Sequence, residues 1–528
     1  MERREFLRAA SGALVAGAAA PALLSGCSGG TSTASNISTA KTASPIPSPT
    51  PSPASQRALR ALARQLAGRL LLPGSPGFAA ENLPANDVYE DVTPQAIALC
   101  QTPADVVTCV NWCRNEGVQP VVRGGGHNYN GASATTGLLI KTGALNKVTV
   151  DKENGTVTVQ AGALNRDLLA TLRGGRLMLP IGTCPTVGVA GLTLGGGIGD
   201  NSRWAGMTSD HLLSTSVVLA SGQQVTADAR DHPDLYWACR GGAGGNFGIN
   251  TELTFRLVEL PRRSITVYGM LFHGQDQAAA ALGAYDKLML TAPAELSGFV
   301  GLTNERALGY SRGNPDTRPL FPELSIDGCY IGPAHEAQDL LKPVSAAARP
   351  DDWVIGEFEF WTGQINWLAV PDQPKHGFAE GARFTNAALP DQVITDLIDR
   401  VVSAPGGTGE AYAEVRLMCW SGGHVINGVA PGATAYVHRD SNSLLRPAVW
   451  WRDTPASLQR DLMDWMASAW DYIQPHTQDQ SFQNWPYAGI TNWRTAYYGA
   501  NFPRLVSVKK AYDPGNLFRY AQSIPVSA

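Results

Sequence analysis

The sequence predicts an α+β protein built from two unlike regions, and three observations carry that expectation. Between residues 91 and 260 short β-rich runs alternate with helical stretches and are punctuated by glycine. Between 265 and 470 long helical patterns mix with longer strands. The chain has 528 residues, 44% of them hydrophobic and 56 of them Gly, enough to bury two or more cores.

In the first region, 104–116 reads as a helix, with Cys109 and Cys113 one turn apart. Runs 118–123 and 138–141 read as strands, and 147–151 and 156–161 flank Asn154-Gly155, a hairpin turn pair. Asn165 is placed to cap a helix through 167–173. Runs 217–220 and 224–226 surround a Ser221-Gly222 turn, and 250–258 closes the region before Pro261. In the second region helices are expected at 276–290 and 391–403, and strands at 325–331, 353–360 and 411–417. Ten of the 13 tryptophans lie between Trp353 and Trp493, which suggests an aromatic-lined pocket; tryptophan as core filler is the alternative.

The first residues have the pattern of a targeting segment. Arg3-Arg4-Glu5-Phe6-Leu7-Arg8 precedes an apolar run from Ala9 to Leu24 and then Ser25-Gly26-Cys27. A twin arginine ahead of a mildly apolar stretch marks the export route for folded proteins. Leu24-Ser25-Gly26-Cys27 resembles a lipoprotein cleavage box, so 1–26 is read as a signal peptide and Cys27 as the lipidated residue. Residues 27–56 are Ser/Thr/Pro-rich, ending in alternating prolines from Pro45 to Pro53, and read as a spacer that cannot bury a core. The body, with a net charge of -4 and no basic stripe, is expected to be soluble, to bind no nucleic acid and to touch a membrane only through the lipid. Beyond Cys27, the cysteines Cys100, Cys109, Cys113, Cys184, Cys239, Cys329 and Cys419 lack the spacing of a metal site, so no metal is expected, and pairing among them is left open.

Four motifs point to chemistry. In Val121-Val122-Arg123-Gly124-Gly125-Gly126-His127-Asn128-Tyr129 a strand runs into three glycines, which let backbone N–H groups approach a phosphate, with Arg123 available to add charge. Residues 182–199 hold seven glycines in eighteen positions: Gly182, Gly188, Gly191, Gly195, Gly196, Gly197 and Gly199, with Cys184 among them. No clear helix opens at Gly195–Gly199 and no ribose-binding acid follows, against a nicotinamide dinucleotide fold, and no Walker loop exists. The third motif is Asp234-Leu235-Tyr236-Trp237-Ala238-Cys239-Arg240-Gly241-Gly242-Ala243-Gly244-Gly245-Asn246-Phe247-Gly248-Ile249. The fourth joins Tyr497-Tyr498-Gly499-Ala500-Asn501-Phe502-Pro503-Arg504-Leu505 to Tyr512-Asp513-Pro514-Gly515-Asn516-Leu517-Phe518.

In this order and spacing the four motifs resemble the berberine bridge enzyme-like FAD-linked oxidases, over roughly residues 86–524. The resemblance implies a PCMH-type FAD-binding domain of the vanillyl-alcohol oxidase kind (87–262), a substrate domain with an antiparallel sheet covered by helices (263–475), and a C-terminal segment completing the flavin site (476–528). It implies FAD linked covalently to His127 at the 8α-methyl group and to Cys184 at the 6-position. Arg123, Gly124, Gly125, Gly126, Asn128, Gly188, Gly195, Gly196, Gly197, Gly199, Gly244, Gly245, Asn246, Phe247, Gly248 and Ile249 match the loops around that cofactor. The family's Tyr-x-Asn motif is here Phe482-Gln483-Asn484, so its hydroxyl is missing; Asn484 carries over only as a flavin neighbour. Tyr487, Tyr436, Glu414 and His424 are the replacement candidates for the base. The implied reaction oxidises an alcohol of a sugar or secondary metabolite, with electrons passed to oxygen. The alternatives are a different acceptor, a nicotinamide-using reductase, or a surface lipoprotein that binds a ligand without turnover.

Changing Arg3 and Arg4 together to Lys is expected to stop export, and Cys27→Ala to stop incorporation of labelled lipid. Fractionation of the unaltered chain as soluble cytoplasmic protein would refute both.

Overall fold

A computed structural model describes residues 54–304, 322–369, 376–408 and 410–527. Arg3, Arg4, Cys27 and the spacer as far as Pro53 lie outside the described residues, while the spacer's expected end at 56 overlaps a helix, Gln56–Gln65, capped by Ser55. Three main sheets organise the rest, consistent with the α+β class.

The first sheet places Arg69–Leu71, Ala96–Leu99, Leu138–Lys141 and Pro120–Arg123 side by side, the last three parallel. Parallel strands are buried on both faces, which suits the nearly unbroken apolar runs here. Helix Pro103–Glu116 covers them, started by a Thr102/Asp105 capping box and ended by Gly117 at φ 68°. Cys100, Cys109 and Cys113 are buried beneath it as free thiols.

The second sheet is antiparallel, in the order Val148–Asp151, Thr156–Gln160, Ile249–Arg256, Leu212–Val218, Gln224–Asp228. Asn154-Gly155 is not a two-residue turn. Asp151 pairs with Thr156 across a four-residue loop, and the Asp151 carboxylate accepts the N–H groups of Glu153 and Asn154 at 3.0 and 3.1 Å. Only Gly155 there has positive φ, at 62°. Asn165 does not cap its helix either. The helix runs Asn165–Leu172, and Asp167 closes its start by accepting the Leu164 N–H at 2.9 Å.

The largest sheet is antiparallel throughout. Its order is Asp352–Glu359, Ser264–His273, Glu323–Tyr330, Leu296–Thr303, Ala411–Cys419, Ser443–Trp451, Gly377–Glu380, with Arg383–Thr385 also against Ser443–Trp451. Helices Gln275–Thr291, Ala334–Ala347, Asp391–Val402 and Ala456–Ile473 bury the face carrying Val300, Ile326, Val415, Leu417, Leu445 and Val449. Alternation then turns Phe299, Tyr412, Glu414, Arg416, Arg446, Trp450, Phe378 and Glu380 to the opposite face. The tryptophans serve mainly as core: Trp361, Trp367, Trp420 and Trp470 are buried, and Trp485 alone among the described tryptophans reaches the main cleft.

The C-terminal segment is tied back by a buried cation. Lys509 Nζ donates to Asn246 O and Asp513 Oδ2, both at 2.7 Å, and to Phe518 O. Asp513 accepts the N–H groups of Leu517 and Phe518 at 2.8 and 2.9 Å. Asn246 receives the Ile524 N–H at 2.9 Å and donates to the Tyr520 hydroxyl at 2.9 Å. Burial lowers the Lys509 pKa while Asp513 opposes the shift. Lys509→Met leaves Asp513 buried and unpaired, so chemical denaturation followed by tryptophan fluorescence should show a loss of about 3–5 kcal/mol.

Candidate functional site

One long cleft joins the glycine loops to the C-terminal segment. Its walls come from residues 120–133, 187–198, 243–250, 482–486 and 518–522. The strand Pro120–Arg123 delivers the chain to Gly124, Gly125 and Gly126, the last at φ 77°, and His127 and Asn128 follow on the wall. A Cβ on Gly125 would sit 2.5 Å from Gly188 N, and one on Gly188 would sit 2.8 Å from Gly125 N. The two loops therefore pack backbone against backbone. His127 Nε2 meets Thr186 Oγ1 at 3.0 Å across the same contact. Asn128 Oδ1 accepts the N–H groups of Asn130 and Ala132 at 3.2 and 2.8 Å, which folds the segment after His127 into a tight turn.

Cys184 is half-buried just beyond this contact, as a free thiol. Sequence reasoning missed what holds it. The Asn165 side chain donates to Gly182 O at 3.2 Å and to Cys184 O at 3.0 Å, while the Asn165 N–H bonds Val187 O at 2.9 Å. Burial raises the Cys184 thiol pKa; Thr183, Arg446 and Arg416 pull it down.

Gly188, Gly244, Gly245, Gly248 and Asn484 also line the cleft, with Asn484 Nδ2 donating to Leu192 O at 2.8 Å. The other expected loop residues stand behind the wall. Gly195 is required by the Asn484 side chain against it, Gly196 by Met207 and Tyr436, Gly197 by Thr208, and Gly199 by Ile181 O. Asn246 braces Tyr520 and Ile524, and Phe247 and Ile249 belong to the hydrophobic cores. Arg123 also lines the cleft, with its guanidinium tied to the chain. Its guanidinium donates to Ser133 O at 2.8 Å and Asn82 O at 2.6 Å, and burial lowers its pKa to about 10. Gly191 faces the cleft with nothing within 4 Å of where a side chain would stand, so a cofactor can approach the backbone there.

The candidates for the base fare less well. Tyr487 lies off the cleft, packed on Trp470 at 5.1 Å, and burial pushes its phenol up to about 12. Tyr436 is sealed among Phe384, Phe482 and Met207, its hydroxyl without a partner, and burial drives its pKa far above the ordinary phenol value. Glu414 uses one oxygen for Arg416 Nη2 at 2.9 Å and the other for Trp450 Nε1 at 3.0 Å. The His424 side chain lies outside the described residues.

Residues 94–228 match the FAD-binding domain family, and residues 481–525 match the berberine and berberine-like family. The chain is 31% identical over 470 residues to the uncharacterized FAD-linked oxidoreductase YvdP of Bacillus subtilis, spanning 88% of this chain and 99% of that protein. It is 29% identical to the chitooligosaccharide oxidase of Gibberella zeae, over 82% of this chain and 88% of that one. A solved structure of glucooligosaccharide oxidase from Acremonium strictum, an enzyme with a 6-S-cysteinyl, 8α-N1-histidyl FAD, superposes with a TM-score of 0.77 at 26% identity. It covers 89% of this chain and 100% of its own. The chain belongs to the berberine bridge enzyme-like family of FAD-linked oxidoreductases, and its fold is the PCMH-type FAD-binding fold of those enzymes.

Asn165→Ala removes both side-chain bonds to the Cys184 loop. It should cost about 1–3 kcal/mol and accelerate amide exchange at residues 182–188, read by mass spectrometry, with little change in the large sheet.

Proposed function

We propose that this enzyme carries FAD on two covalent bonds, at His127 and Cys184, and oxidises an alcohol carbon of a saccharide or similar polyol, passing electrons to oxygen. The observation that carries the reading is the locked contact between the loops of Gly125 and Gly188. It fixes His127 on the cleft wall and Cys184 a few residues away, on separate chain segments that cannot drift apart. The relatives support an oligosaccharide, since one is a chitooligosaccharide oxidase and one a glucooligosaccharide oxidase.

The flavin, when bound, supplies the two-electron acceptor for the alcohol. This chain's residues do the rest. Gly124 to Gly126 and Gly244 to Gly248 admit the cofactor close to the backbone, and Asn165 holds the Cys184 loop in register. Two links on different loops hold the cofactor without a deep enclosing pocket, leaving one side free for a bulky substrate. Thr186 sets which His127 nitrogen is engaged. The domain assignment follows the same logic: 87–262 binds the cofactor, 263–475 presents the substrate surface, and 476–528 closes the cleft. The enzyme is read as exported and lipid-anchored through Cys27.

A second reading, a ligand-binding flavoprotein without turnover, draws on Phe482. It is buried in an apolar cluster with Phe384, Met418 and Tyr436, where a phenol would be expected.

Acid-precipitated protein is expected to remain yellow. His127→Ala and Cys184→Ala should each keep one link, and only the double change should release FAD into the supernatant. Free flavin from the unaltered protein would refute the double attachment, and an oxidised flavin that no sugar alcohol bleaches under anaerobic conditions would favour the second reading.

A further inference from the structure

Among the described tryptophans Trp485 alone stands on the cleft wall, and the turn that carries it is pinned along its whole length. Ser481 holds the start, its N–H on Ala496 O at 2.8 Å and its hydroxyl on Ala382 O. The Gln483 and Asn484 side chains then reach into the cofactor half, to Gly241 O at 2.6 Å and to Leu192 O at 2.8 Å. The Trp485 N–H closes the turn on Phe482 O at 3.0 Å. Its ring goes the other way, onto the helix-free face of the large sheet, where the Arg446 guanidinium lies 4.0 Å from the ring centre. Arg446 is itself paired with Glu380 on the neighbouring strand.

Most other aromatic side chains along the cleft are already committed. Phe482, Tyr497, Tyr498 and Phe518 are buried behind its wall, and the Tyr520 hydroxyl is engaged by Asn246. Trp485 is half-buried. Arg446 covers one part of its ring, and Phe482 abuts it at 5.2 Å with the ring planes at 88°, so the surface it leaves open lines the cleft. The indole N–H of Trp485 makes no hydrogen bond among the described residues. Those of Trp112, Trp204, Trp237, Trp361, Trp450 and Trp465 each reach an oxygen.

A ring held this way presents a flat apolar surface with a free donor on its rim. A pyranose has the matching parts, C–H bonds on its faces and oxygens around its edge. The guanidinium is drawn to the aromatic face and fixes the tilt of the indole from behind, without occupying the cleft. Little side-chain freedom is then left to lose when a ligand arrives. The ring also stands on the sheet side of the cleft, whereas the glycine loops and the bond from Asn484 to Leu192 belong to the cofactor side.

We propose that Trp485 is the platform for a pyranose ring of the substrate, with the C–H face of the sugar on the indole and a sugar oxygen accepting the indole N–H. This rests on the reading of the enzyme as an oxidase of saccharides. Arg446 is a positioning residue: it touches the indole rather than the sugar, and Glu380 holds it there.

The test uses the full flavin-loaded enzyme with cellobiose, xylobiose and N,N′-diacetylchitobiose as probes. Trp485→Leu should keep its covalent flavin yet raise KM for the sugar that bleaches the flavin by on the order of tenfold, lowering kcat far less. Trp485→Phe should give a smaller rise, because it keeps a flat face and loses only the donor. With the flavin first reduced by dithionite, so that no turnover follows, the same sugar should produce an indole difference band in the near ultraviolet. That band should be absent from Trp485→Phe. Should Trp485→Leu unfold, Trp485→Phe is read in the same two ways. An unchanged KM in both variants overturns the assignment, as does a difference band that persists in Trp485→Phe. If no sugar bleaches even the unaltered flavin, the saccharide reading is what has failed, and the platform falls with it.

Discussion

The contact between Gly125 and Gly188 is the constraint on which the cofactor half of the molecule depends. Neither position can bear a Cβ without driving it into the opposite backbone nitrogen. Everything that follows in each loop inherits that closeness. His127 is the second residue after one glycine, Cys184 is four residues before the other, and Thr186 spans the gap. Such a contact earns little by itself, since two glycines bury almost no apolar surface. Its support is borrowed from the parallel strands that launch the first loop and from Asn165, which holds the second. A backbone-on-backbone seam is stiff because it has no rotamers to rearrange, and stiffness at this point suits a ligand gripped from two segments about sixty residues apart.

The large sheet and the C-terminal segment are each tied to the cofactor half by a buried polar anchor. Asn86 bonds the Tyr129 loop and the Phe378 strand with one side chain, and Lys509 gathers Asn246, Asp513 and Phe518 around one ammonium group. Both are polar anchors in buried surroundings, where an unmade bond is expensive. The apolar end of the helix-free face, with Met418, Leu444 and Phe482, packs on Ile198 and Met207 of the cofactor half. The helix-free face therefore has an oily end and a charged middle, and the cleft residues Tyr129 and Trp485 pack against Phe378 and Arg446 upon it.

Much of the fold was legible because local and tertiary preferences agree. The runs at 138–141, 276–290 and 391–403 have the length and period of the elements they form. The misreadings came where a polar side chain has two uses. Asn165 has the chemistry of a helix cap, but Asp167 does that work and Asn165 reaches across to carbonyls nearly twenty residues later. Asn154-Gly155 has the composition of a tight turn, but the Asp151 carboxylate stabilises a longer loop. Glycine patterns declare that something lies close without declaring what: at Gly191 it is open cleft, whereas at Gly195 it is Asn484 and at Gly197 it is Thr208. Arg123 shows the same ambiguity for charge, being consumed by its own chain's carbonyls. The Glu380–Arg446 pair was illegible for a different reason. Its members are 66 residues apart, and only strand pairing reveals that they are neighbours. A lone glutamate inside the short run His376-Gly377-Phe378-Ala379-Glu380 was the one available hint.

The charged middle of the sheet is two arginines and two glutamates, and their signs cancel. Alternating poles this close produce a field that dies away within a few ångströms, unlike the long-range attraction of a single-signed cleft. These four groups therefore add little to any long-range attraction, and dissolved ions have little there to screen. Pairs that cancel behind the wall cross-link neighbouring strands without charging the cleft in front of them.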